Sequence, residues 1–412
     1  MTSPARTGWP ERPHRSNLLK QSEVQVLLAI RVVSQLGTSI HFVAQAWFIY
    51  QLTRSGTILG LTSVMSLLGP VLLGGIGGHP TDRFSARRVL LCTQAALGAI
   101  AGVEGVLVHL NAIGAAGLVV CTGALSVVAT FAVPAWQVLL AEMSGKDELA
   151  RLTALNTSAM DVGLVAGSAL AAPVIAVMGV GGAFVLNAGS YALVVGVLSR
   201  PGHQHRPEPQ TLPAPATTSR SGLTTVLRKR GVPSMMTLAM ALSGAGASLP
   251  PLLLIVTADA GTAGRYGLYL ALLSVGSIAG TALTWRARLS RYAVFSYSAA
   301  FGLLLTGLGL VSSTWLTGAL LLPIGALALM LRASITTFVQ LQTPAGLRGR
   351  VMSALQAALA ASQIITTVSL TSLSDAAGAA IAITVSGTGV LLCTCALIVI
   401  TVRRTPGTGS NS

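Results

Sequence analysis

The sequence predicts an all-α membrane protein with twelve transmembrane helices in two six-helix bundles. Three observations predict it. First, of 412 residues 52% are hydrophobic and only 9% charged, with a mean hydropathy of +0.73. Soluble domains carry about 25% charged residues, and so little charge cannot cover a water-exposed surface. Second, twelve apolar runs reach the roughly 20 residues that a bilayer crossing needs. Third, the basic residues alternate between the loops. Of 26 Lys and Arg, 22 lie at the termini or in even-numbered loops, Arg54 and Arg265 lie in odd-numbered loops, and Arg31 and Arg332 lie inside spans.

The elements follow in order. Residues 1–22 are polar and basic and read as a cytoplasmic tail. The first apolar run, 24–50, is full length, so a retained helix is expected rather than a cleaved signal peptide. Runs 56–77 and 89–110 flank a charged turn whose arginines need water while its flanks need lipid. Runs 113–138, 153–177 and 180–199 complete an N-terminal bundle over 23–200. Residues 201–232 are the one long polar interruption. Their prolines, among them Pro207, Pro209, Pro213 and Pro215, predict an extended linker. The cluster Arg228-Lys229-Arg230 suits anionic headgroups. Runs 233–257, 266–285, 293–312, 315–340, 352–373 and 378–402 form a second bundle over 233–402, and 403–412 a short tail. The positive-inside rule then places both tails and the linker in the cytoplasm of a multi-pass cell-membrane protein. Trp47 and Trp315 fall at expected outer interfaces, and Trp136 and Trp285 at inner ones.

Composition also excludes functions. The net charge of +15 is scattered over short loops, so a nucleic-acid partner is not expected. Cys92, Cys121, Cys393 and Cys395 all fall in apolar spans and read as buried thiols, not disulfides or metal ligands. His203 and His205 sit in the linker and read as solvated. No cofactor or metal is expected. Clustered nucleophiles or ligands that would mark an enzyme are missing from the sequence, and the 32-residue linker is too short for a sensor domain.

The turn reads Gly78-x-x-x-Asp82-Arg83-Phe84-x-x-Arg87-Arg88. It resembles the loop between helices 2 and 3 of the major facilitator superfamily of secondary transporters, departing from it at His79-Pro80-Thr81 and Ser85-Ala86. Pro134-Ala135-Trp136-Gln137, the stretch Glu148 to Asn156, and Leu347-Arg348-Gly349-Arg350-Val351-Met352 resemble the branch of macrolide-efflux and enterobactin-exporter proteins. The resemblance implies two bundles that rock about a central site, and a cytoplasmic gate built on Gly78, Asp82, Arg83, Arg87 and Arg88. Span 5 keeps small residues (Gly163, Gly167, Ser168, Ala171, Ala172) where exporters of the superfamily often have a glycine-proline motif, with Pro173 a turn later. Gly280, Arg286, Arg288 and Arg291 suit the repeat-related loop, which has no acid to match Asp82.

Polar residues at helical spacing locate the interior. Arg31, Gln35, Thr38, His41 and Gln45 occupy one arc of span 1, Thr122, Ser126 and Thr130 one face of span 4, and Ser353, Gln356, Gln363 and Thr367 one face of span 11. Lipid cannot pair such groups, so they face a cavity or another helix. The substrate cavity is therefore expected to include Arg31, Gln35, Thr38, His41, Gln45, Thr122, Ser126, Thr130, Arg332, Gln356, Gln363 and Thr367. Arg31 is expected to pair with Asp161 of span 5, since an unpaired charge at mid-membrane costs about 2.5–3.5 kcal/mol. Glu104 is expected near the outer surface. Asp161 is the first candidate for proton coupling and His41, whose imidazole titrates near neutrality, the second.

These features predict a monomeric, proton-coupled exporter of a small amphipathic molecule such as an antibiotic, siderophore or related metabolite. With no helix-1 acid and 5% aromatic residues, a neutral, zwitterionic or anionic substrate is expected rather than a lipophilic cation. The alternative on the same fold is an importer of a similar solute.

Overall fold

The computed structural model describes residues 22–73, 84–143, 149–200, 231–258, 263–286, 291–343 and 348–403. These residues are helical nearly throughout: α1 (Ser22–Thr53), α2 (Gly56–Ser66), α3 (Leu68–Leu73), α4 (Ala86–His109), α5 (Ala115–Glu142), α6 (Leu149–Ser199), α7 (Val232–Ala258), α8 (Ala263–Arg286), α9 (Arg291–Leu310), α10 (Thr314–Gln342), α11 (Arg348–Ala377) and α12 (Ala379–Arg403). Ten helical stretches among them are long and apolar enough to cross a membrane. Together α2 and α3 make one crossing, and α6 holds two. The loops between crossings alternate between two faces, here the odd-loop face (bearing α1–α2, α4–α5 and α9–α10) and the even-loop face.

Local chemistry sets the breaks. In α6 the chain turns back at Gly179, whose φ of 71° lies in the left-handed region that glycine enters without strain. Gly378, with φ 93°, plays the same part between α11 and α12. The α2–α3 break comes from Pro70, which cannot donate to the carbonyl of Ser66. That freed carbonyl accepts the Ser126 hydroxyl at 2.7 Å, and the Ser126 Oγ in turn accepts the Gly69 N–H at 3.1 Å.

Helices α1–α6 pack into one bundle and α7–α12 into a second. In the first, Gly163 and Gly167 of α6 lie directly on the α1 backbone at Val32 and Leu36. In the second, Gly276, Gly280 and Gly325 bring α8 and α10 into backbone contact. Without a hydrophobic drive between helices inside lipid, such close approach supplies much of the association energy. Large side chains such as Val177, Leu303 and Leu392 are exposed on the outside, where lipid would meet them.

Several expectations about individual residues change. Cys92 and Cys395 are exposed and Cys121 and Cys393 half-buried rather than buried, because an apolar span does not tell the outward face of a helix from the packed one; all four are free. Trp315 is 89% exposed, as an interface residue is, but Trp47 and Trp136 are buried among helices. Neither ring had a sequence signal separating the interface from the packed ends of the bundle. The side chain of Trp285 and most of the turn 78–88, including Gly78, Asp82 and Arg83, lie outside the described residues, as do 1–21, 201–230 and Arg288. Of the turn's arginines, Arg88 is exposed. Arg87 donates to the carbonyls of Leu198 (2.6 Å) and Arg200, and so ties the start of α4 to the end of α6.

Candidate functional site

A cavity of about 510 Å³ lies between the two bundles, walled by α1, α2, α6, α7, α8 and α11. Its polar lining comes from Gln35, Thr38, Ser39 and Gln45 of α1, Thr62, Ser63 and Ser66 of α2, Ser168 of α6, Ser274 and Ser277 of α8, and Gln363 and Thr367 of α11. Phe42, Leu164, Pro250, Pro251, Tyr266 and Ile364 supply apolar wall. Among the described residues the lining contains hydroxyls and carboxamides but no charged side chain. A second chamber of about 310 Å³ lies within the α7–α12 bundle and shares Ala247, Leu273, Ser277 and Gln363 with the first. It is lined also by Ser243, Thr336 and the one charged group of either lining, Arg332. Gln363 stands between the chambers and donates to the Ser243 hydroxyl at 2.7 Å. The arrangement presents hydrogen-bonding groups that donate and accept, with a cation at one end.

Of the residues the sequence singled out, the structure brings Gln35, Thr38, Gln45, Gln363 and Thr367 to the central cavity and Arg332 to its annex. The others sit elsewhere, each for a physical reason. Thr122 and Thr130 donate to carbonyls one turn back in their own helix, at 3.0 and 2.9 Å. Ser126 serves the α2–α3 break. The face of α5 that carries all three packs against α2 and α3, so it is a helix–helix interface and not cavity wall. Gln356 lies on the same face of α11 as Gln363 but two turns nearer the even-loop face, where it is exposed and lines neither chamber.

Arg31 does not line the cavity and does not pair with Asp161. Its guanidinium donates to Asn156 Oδ1 at 3.1 Å, meets Met160 Sδ at 2.8 Å, and lies over the Trp136 ring at 4.4 Å. Asn156 and Asp161 are five residues apart, about 140° around α6, so the face that meets Arg31 turns Asp161 away. Asp161 is half-buried and has no ion-pair partner among the described residues. It lies within about 20° of Ser168, two turns toward the even-loop face, and so on the cavity side of α6.

His41 is not in the cavity wall either. One residue, about 100°, separates it from Phe42, which is. The imidazole instead stacks on Phe184, with ring centroids 4.3 Å apart, and its Nε2 lies 3.3 Å from Oε2 of Glu104. Glu104 is fully buried rather than near the surface, because α1 and α5 close over it. Gln45 donates to Glu104 Oε1 at 2.6 Å and reaches the Leu118 carbonyl at 3.3 Å.

Sequence reasoning missed the closure of the cavity. On the odd-loop face, Asp375 at the end of α11 accepts the N–H groups of Gly56 (2.6 Å) and Thr57 (2.9 Å) and the hydroxyls of Ser55 (3.1 Å) and Thr57 (2.8 Å). Gly56 and Gly60 of α2 lie so close to Thr371 and Ser374 that a methyl group on either would collide. Nearby, Gly267 of α8 meets Ser168 and Ala172 of α6. The Ser55-Gly56-Thr57 start of α2 is a readable helix cap, but its partner is more than 300 residues away in sequence.

The comparisons with known proteins agree with this architecture. A comparison with curated proteins returned no match. Among solved structures, the chain is similar to a D-xylose–proton symporter, with a TM-score of 0.71 and 14% identity over 91% of this chain and 97% of that one. It is similar also to a bacterial homologue of the human lysosomal transporter Spinster in an inward-facing, unoccupied conformation, with a TM-score of 0.68 and 13% identity over 92% and 94%. A third is a bacterial homologue of the iron transporter ferroportin in an inward-facing state, with a TM-score of 0.65 and 17% identity over 92% and 98%. At such identities the likeness shows a shared major facilitator fold. Each of the three is a transporter and none an enzyme. The family described as transmembrane secretion effector matches residues 17–411. The chain therefore belongs to the transmembrane secretion effector family, and is a multi-pass secondary transporter of the major facilitator superfamily.

Proposed function

We propose that the protein is a proton-driven exporter of a small amphipathic molecule, working by alternating access across the cell membrane as a monomer. The observation that carries this reading is the central cavity, walled by both bundles, with uncharged polar groups around it and Arg332 in the adjoining chamber. Such walls suit a solute with hydroxyl or amide groups and a neutral, zwitterionic or anionic character. They lack the acid that a cationic solute would require. The sequence resemblance to macrolide-efflux and enterobactin-exporter proteins favours export of an antibiotic, siderophore or related metabolite over import.

In this reading the odd-loop face is external and the termini and residues 201–232 are cytoplasmic, which follows from the distribution of basic residues. The Asp375 contacts then close the outer side. Asp161, on the cavity side of α6 and without an ion-pair partner among the described residues, is the candidate carrier of the driving proton. A susceptibility and accumulation screen in cells expressing the protein, with and without a protonophore, tests the function. Reduced accumulation of an amphipathic compound that the protonophore reverses supports it. Protein-dependent uptake of the same compound would favour the importer.

A further inference from the structure

We propose that His41 and Glu104 form a buried proton-binding site that communicates with the central cavity through the side-chain amide of Gln45. The two groups are 3% and 0% exposed, with Nε2 and Oε2 3.3 Å apart. Among the described residues, neither imidazole nitrogen, nor Glu104 Oε2, has a hydrogen-bond partner. Around them, α6 presents the Phe184 ring and α5 the Leu118 carbonyl and the Cys121 thiol, the titratable group within electrostatic reach of Glu104. A carboxylate and an imidazole held in the apolar depth of a bundle are expensive, and ionisable groups kept there ordinarily handle ions or protons. Gln45 gives the pair a polar route to the cavity. It touches Glu104 with its Nε2 and lines the cavity.

The amide makes the link directional. As seen here, Gln45 gives its N–H to Glu104 Oε1, which must then accept. That leaves the Gln45 carbonyl oxygen for the cavity, where it accepts from a hydroxyl or amide N–H of the solute. When a proton binds Glu104 Oε1, that oxygen becomes an O–H donor and a much poorer acceptor for the N–H. The amide turns over, its oxygen accepts the new O–H, and its N–H₂ gives up the 3.3 Å contact with the Leu118 carbonyl to face the cavity. A solute donor then loses its acceptor. One proton is taken up as one solute hydrogen bond is released, and no covalent bond of the solute changes. This is the mutual exclusion that an antiporter needs, and its role in transport rests on the export reading above.

The test needs no solute, because the proton is the probe. Infrared difference spectra between acidic and alkaline buffer are recorded on the full chain in phosphatidylethanolamine–phosphatidylglycerol nanodiscs, in an Asp161→Asn background. The expected spectrum contains a protonated-carboxyl stretch together with a shift of a glutamine amide carbonyl. Glu104→Gln removes the carboxyl band. Gln45→Leu keeps that band but removes the amide shift, and His41→Gln moves the midpoint of its titration. The last two variants keep the test decisive if Glu104→Gln does not fold. A carboxyl band undiminished in Glu104→Gln, or titrations in Gln45→Leu and His41→Gln identical to the parent, would overturn the proposal. Because no transport is measured, either result stands apart from the export reading, which the accumulation screen decides.

Discussion

Asp375 accepts the backbone N–H of Gly56 at 2.6 Å and so caps the first turn of α2 from the opposite bundle. A carboxylate at a helix N-terminus meets unpaired N–H donors and the positive end of the helix dipole. The two bundles are thus pinned at the odd-loop face by a contact that must break if that face is to open. Hydrogen bonds to a charged group contribute about 1.5–3 kcal/mol each when intact. Asp375→Ala should shift the equilibrium toward the state open on that face by tenfold or more. Spin labels at positions 110 and 310, on the exposed ends of α4 and α9, report it. With the four native cysteines replaced, the distance distribution should gain a longer component in the variant. An unchanged distribution would mean that the glycine packing alone holds the closure.

Arg31 offers a test of the changed pairing. If Asn156 and Trp136 hold it, Arg31→Ala should lower thermal stability by about 2 kcal/mol, as for loss of a charged hydrogen bond and a desolvated cation–π contact. A double-mutant cycle with Asn156→Ala should show coupling of about 1 kcal/mol, and one with Asp161→Asn should be additive within about 0.5 kcal/mol. Strong coupling to Asp161 would restore the ion pair that sequence spacing suggested.

Helix number, order and approximate ends were legible in the sequence, because a bilayer imposes a length and a sign rule that individual side chains obey. Side-chain destinations were legible only in part. A polar arc of about 120° on α1 is wider than the cavity it faces, so Gln35 and Thr38 reach the cavity while His41, at its edge, turns into the α4–α6 interface. Thr122 and Thr130 satisfy themselves within their own helix, which no spacing rule separates from cavity lining. Glu104 appeared near a surface because depth along a helix says nothing about what packs beside it. The Asp375 cap joins residues 319 apart, and no local pattern carries that information.

Gly325 tests the packing of the second bundle. Its Cα faces the Leu273 carbonyl and the Ser277 N–H of α8 with no room for a side chain. Gly325→Val must push α10 off α8, and overpacking of this kind costs about 1–3 kcal/mol. The variant should show a lower melting temperature in detergent than Gly389→Val, whose position is open. Equal melting temperatures would show that the α8–α10 contact is not a stabilising one.

Sidedness can be checked without reference to transport. A cysteine replacing Thr262 should react with an impermeant maleimide added to intact cells, and one replacing Gln204 should not. Labelling of both would break the alternation of faces.

Asp161 bears on coupling. It has no ion-pair partner among the described residues and lies on the cavity side of α6, so Asp161→Asn should abolish uphill, proton-driven movement while leaving downhill exchange within about threefold of the parent, a change of less than about 1 kcal/mol. Uphill pumping with the parent pH dependence would instead assign coupling to His41 and Glu104 alone.

In the proposed mechanism, solute crosses through the cavity between the bundles, driven outward by protons. Inside-out vesicles containing the protein, with an acidified lumen, test it most directly when offered a panel of neutral, zwitterionic and anionic amphipathic compounds. The account predicts that at least one accumulates in the lumen, that a protonophore collapses the accumulation, and that Gln363→Leu, at the junction of the two chambers, reduces it roughly tenfold, about 1.4 kcal/mol. Accumulation that is indifferent to both the protonophore and the Gln363 substitution would contradict it.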